Sequence, residues 1–159
     1  MSDIKKTLAL SDYRELAELR YQARRFLHFS KQAAQQLGLE PQQHQLMLAL
    51  KGLPLGIRPT IGTLAERLQL QHHSTVELVN RLSVGGLVPR HRGGEDRRQV
   101  LLALTAKVEK ILRELSVGHK AELRTRGPAL VSALERAMRP AKGLQSRAPK
   151  PSERSGEAG

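Results

Sequence analysis

The sequence predicts a mainly α-helical fold with one small β-hairpin of two or three strands. Apolar residues recur every three or four positions through most of the chain, which is the period of an amphipathic helix. Two short helical segments are joined by about three residues, as in a helix-turn-helix. Two short strand-like stretches then flank the turn Gly93–Asp96, whose glycines suit a hairpin. At 159 residues, the chain is long enough for one domain with a buried core.

The N-terminal part predicts two helices. The first runs from Ser11 to Leu37 and ends at Gly38, because glycine readily adopts the left-handed conformation found after helix ends. The second begins near Glu40–Pro41, where proline suits a first helical position, and ends at Lys51–Gly52. The following LPLGIRPT contains two prolines and a glycine and is predicted to be a loop.

The middle of the chain has the pattern of a helix-turn-helix. Thr60 is a suitable N-cap for the helix IGTLAERL, and Gln69–Gln71 connects it to HHSTVELVNRLSV, which ends at Gly85–Gly86. The residues expected to face inward are Leu64, Ala65, Leu68, Leu70, Thr75, Leu78, Val79 and Leu82.

The C-terminal part predicts a hairpin and two helices. Residues 88–92 and 99–104 are expected to pair as strands, and Thr105 is expected to cap a helix that reaches about Ser116. A last helical pattern runs from about His119 to Met138, with a break or kink at Gly127–Pro128. Residues 140–159 are rich in Pro, Ser, Gly and charge without periodicity, which predicts a disordered basic tail.

Composition restricts the function more than it defines it. Lys and Arg exceed Asp and Glu by 27 − 15 = 12, which favours polyanionic partners, although residues 60–105 hold only six basic against four acidic residues. The absence of cysteine excludes disulfides and Cys-ligated zinc. No apolar run suits a signal peptide or a membrane span, so a cytoplasmic protein is expected. No catalytic motif, metal-binding motif or cofactor site is apparent, so an enzyme is not expected.

The order of elements resembles the MarR family of winged helix-turn-helix regulators. The most specific feature is Asp96-x-Arg98 ahead of Leu104–Thr105, and LAERLQLQHHSTVELVNRLSVGGLV resembles the family's recognition region. The resemblance implies N- and C-terminal dimerisation helices around a DNA-binding region. It divides the chain into 1–38 (dimerisation), 39–105 (winged helix-turn-helix), 106–139 (dimerisation helices) and 140–159 (tail).

The second helix of the helix-turn-helix is the expected recognition helix. Its outward residues are expected to contact DNA: His72, His73, Ser74, Val76, Glu77, Asn80 and Arg81. Residues near the N-terminus reach base edges, so His73, Ser74 and Val76 are expected in the major groove. Arg81 is expected to contact phosphate or to form an internal ion pair. The family commonly has other residues at positions 71–73 and 77, so the operator sequence stays open.

The hairpin is the expected wing. The resemblance makes Arg98 the candidate for insertion into the minor groove, where negative potential attracts arginine. Arg90, Arg92 and Arg97 are expected to contact phosphate, and Asp96 is expected to hold a guanidinium. The alternative is a solvated charged turn.

Long apolar stripes on the terminal helices favour a homodimer over purely intramolecular packing, and two-fold symmetry then predicts a pseudo-palindromic operator. The expected function is therefore that of a dimeric transcriptional repressor; the alternative is a non-specific architectural DNA binder. The resemblance further implies a small aromatic acid as effector, for which Tyr21, Arg24, His28 and His44 are the candidate pocket residues.

Overall fold

A computed structural model describes residues 8–92 and 100–141 of the chain. Five helices and two strands follow one another in the order α1 (Leu10–Gln36), α2 (Pro41–Lys51), α3 (Ile61–Leu68), α4 (His72–Val84), β1 (Arg90–Arg92), β2 (Val100–Leu102) and α5 (Ala106–Ala137). The predicted mainly α fold with one small hairpin is confirmed. Contacts divide the chain into a central unit, Phe26–Thr125, and a terminal unit formed by the residues before and after it.

The core of the central unit is built by the helix-turn-helix together with α2 and the start of α5. All eight residues predicted to face inward are buried or half-buried, and Leu64, Leu78, Val79 and Leu82 are at most 1% exposed. On α5, Val108, Leu112 and Leu115 are buried in the same unit. For this first part of the C-terminal apolar stripe, the structure therefore shows intramolecular packing, and these residues do not form a free dimerisation surface.

The ends of the short helices follow from particular side chains. Thr60 Oγ1 accepts a hydrogen bond from the backbone N–H of Thr63 at 3.2 Å, which makes it the predicted N-cap of α3. At the start of α2, Gln43 Oε1 accepts from the N–H of Glu40 at 3.0 Å. After α4, Gly86 has φ +70° and the N–H of Leu87 bonds to the carbonyl of Leu82 at 2.9 Å, an arrangement that ends a helix.

The hairpin is shorter than predicted. β1 and β2 pair antiparallel from Arg90↔Leu102 to Arg92↔Val100, and a single bridge joins Thr60 to Leu101 as a minimal third strand. Pro89 has no N–H to donate, and the carbonyl of Val88 accepts from Ser83 Oγ at 2.8 Å. The carbonyl of Pro89 still accepts from the N–H of Ala103 at 3.2 Å, so one cross-strand hydrogen bond reaches Pro89, while the paired strand itself begins at Arg90.

The C-terminal segment is one helix, where the sequence predicted two. Thr105 caps it as expected, since its Oγ1 accepts from the N–H of Val108 at 3.3 Å, but α5 then continues without interruption to Ala137. Gly118 lies inside the helix at a cost of about 1 kcal/mol, which the neighbouring helical residues offset. Pro128 also lies inside it and removes one backbone donor without ending it.

The terminal unit leaves several large apolar side chains exposed. They are Leu10, Tyr13 and Leu16 on α1, Val131 and Leu134 on α5, and Met138 just after α5. The start of α1 is fixed by Asp12, a buried residue whose carboxylate accepts from the N–H of Ala9 at 2.7 Å. Among the described helices, none has a stretch that is both long and apolar enough to cross a lipid bilayer.

Candidate nucleic-acid interface

The turn between α3 and α4 depends on a left-handed residue. Gln69 has φ 54°, and its backbone N–H points back to the carbonyls of Ala65 and Glu66. Its side-chain Nε2 donates to the carbonyl of Glu66 at 2.7 Å, which supports a conformation usually given to glycine. Leu70 then packs against the core, and α4 begins two residues later at His72. The turn thereby sets the direction in which α4 leaves α3.

The N-terminal half of α4 is open at its surface. His72 and His73 are exposed, and Ser74 and Val76 are half-buried. The N-cap residue, Gln71, makes no side-chain hydrogen bond to the first turn. The first N–H groups of a helix have no intrahelical partner and carry partial positive charge, so this end of α4 can meet an anion.

The C-terminal half of α4 is tied to its neighbours. Glu77, Asn80 and Arg81 are exposed. Arg81 was expected either to contact phosphate or to form an internal ion pair. The structure contains an ion pair, in which Arg81 Nη1 lies 3.4 Å from Glu40 Oε2. Asn80 Oδ1 accepts a hydrogen bond from the guanidinium of Arg90. Helix α4 and strand β1 are therefore joined by a side-chain contact.

The structure describes the base of the predicted wing, which is the strands β1 and β2. Arg90 begins β1 and is exposed, and Arg92 ends it. The other predicted wing residues, Asp96, Arg97 and Arg98, lie outside the described residues. The backbone N–H of Leu102 donates to the carbonyl of Pro59 at 2.9 Å, so β2 is fixed to the segment that leads into α3.

The four residues predicted to line an effector pocket fall in both units. Tyr21 and Arg24 are exposed in the terminal unit, where the guanidinium of Arg25 lies 5.6 Å from the centre of the Tyr21 ring. His28 is exposed and His44 is buried in the central unit. Of these four residues, His44 is the one that is buried.

His44 belongs to a cluster that sequence reasoning missed, the histidine junction, formed by Phe26, Phe29 and Ser30 of α1, His44 of α2 and His119 of α5. The rings of His44 and His119 lie 5.0 Å apart. His119 Nδ1 donates to the carbonyl of Leu115, and its Nε2 is hydrogen-bonded with Ser30 Oγ at 2.8 Å. Both phenylalanine rings meet His119 edge-on. No periodicity relates positions 44 and 119, so no sequence signal indicated the contact.

Within this junction, His44 carries a buried nitrogen without a partner. Its Nε2 has no hydrogen bond among the described residues, and the side chain is 3% exposed. Burial lowers the pKa of His44 below 6.5, and the neighbouring His119 lowers it further. His44 is therefore held neutral near pH 7. Within residues 8–92 and 100–141, no three His, Asp or Glu side chains converge as metal ligands.

Comparison with known proteins connects this geometry to a family. Residues 37–99 match a family model described as MarR family. AbsC, a MarR family transcriptional regulator from Streptomyces coelicolor, is 22% identical with a TM-score of 0.63 over 85% of this chain and 93% of AbsC. A MarR family protein from Bacillus stearothermophilus is 26% identical with a TM-score of 0.59 over 71% of this chain and 79% of its own. The S. aureus MepR–DNA complex is 20% identical with a TM-score of 0.57 over 71% of this chain and 78% of MepR.

No curated protein sequence gave a significant match. The matched segment 37–99 runs from the end of α1 through the helix-turn-helix and β1, which is the part of the chain that carries the interface described above. Residues 37–99 are thus similar to the MarR family in sequence, and the fold of the chain is similar to that of MarR family regulators.

Proposed function

We propose that the protein is a homodimeric, sequence-specific DNA-binding repressor that recognises a pseudo-palindromic operator. The observation that carries this proposal is the helix α4, whose N-terminal half is open beside the base of a two-stranded wing. An α-helix fits the major groove of B-DNA, and a hairpin next to it reaches the adjacent backbone or minor groove. The structure of S. aureus MepR, whose fold is similar, is that of a complex with DNA.

The recognition helix divides into a reading half and an anchoring half. His73, Ser74 and Val76 contact base edges, where the valine methyl groups meet thymine and the serine hydroxyl bonds to several bases. The uncapped N–H groups of the first turn contact a phosphate. Asn80 and Arg81 hold the helix in position through Arg90 and Glu40, while His72 and Glu77 border the groove.

The wing supplies the cationic contacts. Arg98 enters the minor groove, and Arg90, Arg92 and Arg97 contact phosphates on either side, with Asp96 holding one guanidinium. The contact from Arg90 to Asn80 supports this arrangement, because it fixes the base of the wing against the recognition helix.

Dimerisation uses the terminal unit. Its exposed apolar side chains, among them Leu10 and Tyr13 on α1, Leu134 on α5 and Met138 just after α5, are candidates for burial against a second copy. A two-fold dimer presents two recognition helices to successive major grooves about 34 Å apart, which requires an inverted repeat in the operator.

The test is fluorescence anisotropy with a duplex from the protein's own promoter region and a scrambled duplex of equal length. We expect selective binding, and we expect His73→Ala and Arg98→Ala each to weaken it by about 1–3 kcal/mol. Arg20→Ala, a change at an exposed residue of α1 in the terminal unit, is the matched control. Equal affinity for both duplexes with a steep salt dependence would instead identify a non-specific architectural binder.

We also propose that a small aromatic acid releases the operator. The histidine junction supports this, because the unpartnered nitrogen of His44 can bond to a carboxylate, and the ring of His119 beside His44 is itself contacted by two phenylalanine rings. Binding acts by favouring a conformation whose recognition helices no longer match the operator. Benzoate is expected to weaken operator binding by the wild type and not by His44→Leu; an unchanged wild-type affinity at saturating benzoate would exclude this effector class.

A further inference from the structure

Arg81 is the only lysine or arginine in α4, and an acidic residue outside the helix-turn-helix holds it. Its Nη1 lies 3.4 Å from Oε2 of Glu40, the residue that immediately precedes α2. The two side chains are 54% and 58% exposed, so the pair lies at the surface of the central unit. A phosphate group can therefore reach Arg81 once the carboxylate releases it.

The fold holds Glu40 in place independently of Arg81. The N–H of Glu40 donates to Gln43 Oε1 at 3.0 Å, and its carbonyl accepts from the N–H of His44 at 3.2 Å, because Glu40 is the N-cap residue of α2. The preceding residue, Leu39, is buried in the core. The backbone of Glu40 therefore keeps its place when Arg81 turns away, and the carboxylate stays beside α4.

The other cation in contact with α4 is held in a different way. The guanidinium of Arg90 donates to the side-chain oxygen of Asn80, which is a neutral amide. Arg90 therefore keeps its full positive charge, whereas the carboxylate of Glu40 cancels the charge of Arg81. As a result, α4 presents no uncancelled lysine or arginine charge, and Glu77 adds a negative one.

This charge balance bears on affinity that does not depend on sequence. Contacts from Lys and Arg to phosphate supply most of that affinity, whereas contacts to base edges supply selectivity. The separation of 3.4 Å exceeds the roughly 2.7–2.9 Å of a strong charge-assisted hydrogen bond. The pair is therefore weak enough to open, and its effect on DNA binding is graded.

We propose that Glu40 lowers the sequence-independent affinity for DNA by holding Arg81 away from the phosphate backbone. Arg81 is a latent phosphate contact, and Glu40 is the positioning residue that withholds it. The wing then supplies the cationic contacts, while α4 depends on the bases that it reads. The inference rests on the proposed DNA-binding function, but it concerns binding to any duplex and needs no operator.

The test is fluorescence anisotropy with the scrambled duplex, at salt concentrations from about 50 to 200 mM. Glu40→Gln keeps the length of the side chain and removes its charge. We expect it to tighten binding about two- to fivefold, the range for release from a half-exposed ion pair. The plot of log K against log salt concentration should become steeper by about 0.9 for each protomer bound, because one phosphate contact is gained.

Three further variants separate release of Arg81 from a general effect of charge. Glu66→Gln removes the same charge at an exposed position of α3 and should leave the salt slope unchanged, because it frees no cation. Glu40→Gln combined with Arg81→Gln should bind no more tightly than Arg81→Gln alone. Glu40→Asp keeps the charge and a good N-cap residue but shortens the reach to Arg81, so it should also tighten binding, by less than Glu40→Gln.

Weaker binding by Glu40→Gln would overturn the inference, since Glu40 would then orient Arg81 towards the phosphate. An equal gain from Glu40→Gln with and without Arg81 would also overturn it, because the carboxylate would act by repulsion alone. If Glu40→Gln loses stability in urea, Glu40→Asp decides, and the absence of any gain there counts against the inference. If the wild type binds its promoter duplex and the scrambled duplex equally, the proposed operator recognition is wrong, while these comparisons still decide the role of Glu40. Absence of binding to either duplex would overturn both.

Discussion

Replacing His44 with leucine removes the one polar atom that the described core leaves buried without a partner. His44 Nε2 has no hydrogen bond there, and an unsatisfied buried polar group costs about 1–3 kcal/mol. Leucine is apolar and close to histidine in volume, and Phe26, Phe29 and His119 line the same junction. We therefore expect His44→Leu to raise the free energy of unfolding near pH 7 by about 1–2 kcal/mol.

The effect of pH follows from the direction of the pKa shift. Burial and His119 lower the pKa of His44 in the folded state below its ordinary value of 6.5. As the pH falls below 6.5, the unfolded chain therefore takes up a proton at this residue before the folded chain does. The wild type loses stability over that interval, by at most about 1.4 kcal/mol per pH unit for one proton, until the folded-state pKa is reached. His44→Leu removes this contribution, so its advantage should grow on acidification.

The assay is urea unfolding followed by far-UV circular dichroism at fixed protein concentration, from about pH 8 to about pH 5. His28→Leu, the same chemical change at an exposed position of α1, is the control and should follow the wild-type pH profile. The reasoning is wrong if His44→Leu is less stable than the wild type at pH 7. It is also wrong if the two proteins lose stability equally as the pH falls.

Three further substitutions are expected to change the free energy of unfolding in the same urea assay, and the expected changes differ in sign or in size. Thr60→Ala removes the cap that Thr63 N–H bonds to and should cost about 1 kcal/mol; no loss would show that the cap is dispensable. Leu78→Ala, at a residue 1% exposed, should cost about 2–5 kcal/mol, and a cost below 1 would contradict its place in the core. Pro128→Ala should stabilise the protein by about 1–3 kcal/mol, because it restores a backbone donor inside α5; destabilisation would show that proline has a role there.

The helical boundaries could be predicted because they are local. Thr60, Gly38 and Gly86 act within one turn of their own positions, and the inward residues of α3 and α4 follow a period that the sequence displays. The same local reasoning was wrong for the C-terminal segment. Gly118 and Pro128 are helix breakers on average, yet in α5 the rest of a long helix outweighs their cost.

The contacts that give the candidate sites their chemistry could not be predicted from the sequence. His44 meets His119, and Glu40 meets Arg81, across separations along the chain at which no periodicity operates. The contact between Asn80 and Arg90 spans ten residues and depends on where the turn after α4 places β1. Such pairs are set by tertiary packing, whereas the residue types in the recognition helix and the order of elements are visible in the sequence alone.

The two halves of α4 differ in how they are held in the fold. Asn80 and Arg81 bind Arg90 and Glu40, and the buried face of the helix is fixed by the core, so the position of α4 does not depend on its first turn. His73 takes no part in those contacts, and substitutions there leave the packing unchanged. If the proposed function is right, substitutions at the start of α4 are expected to alter which bases are read, while the helix keeps its place.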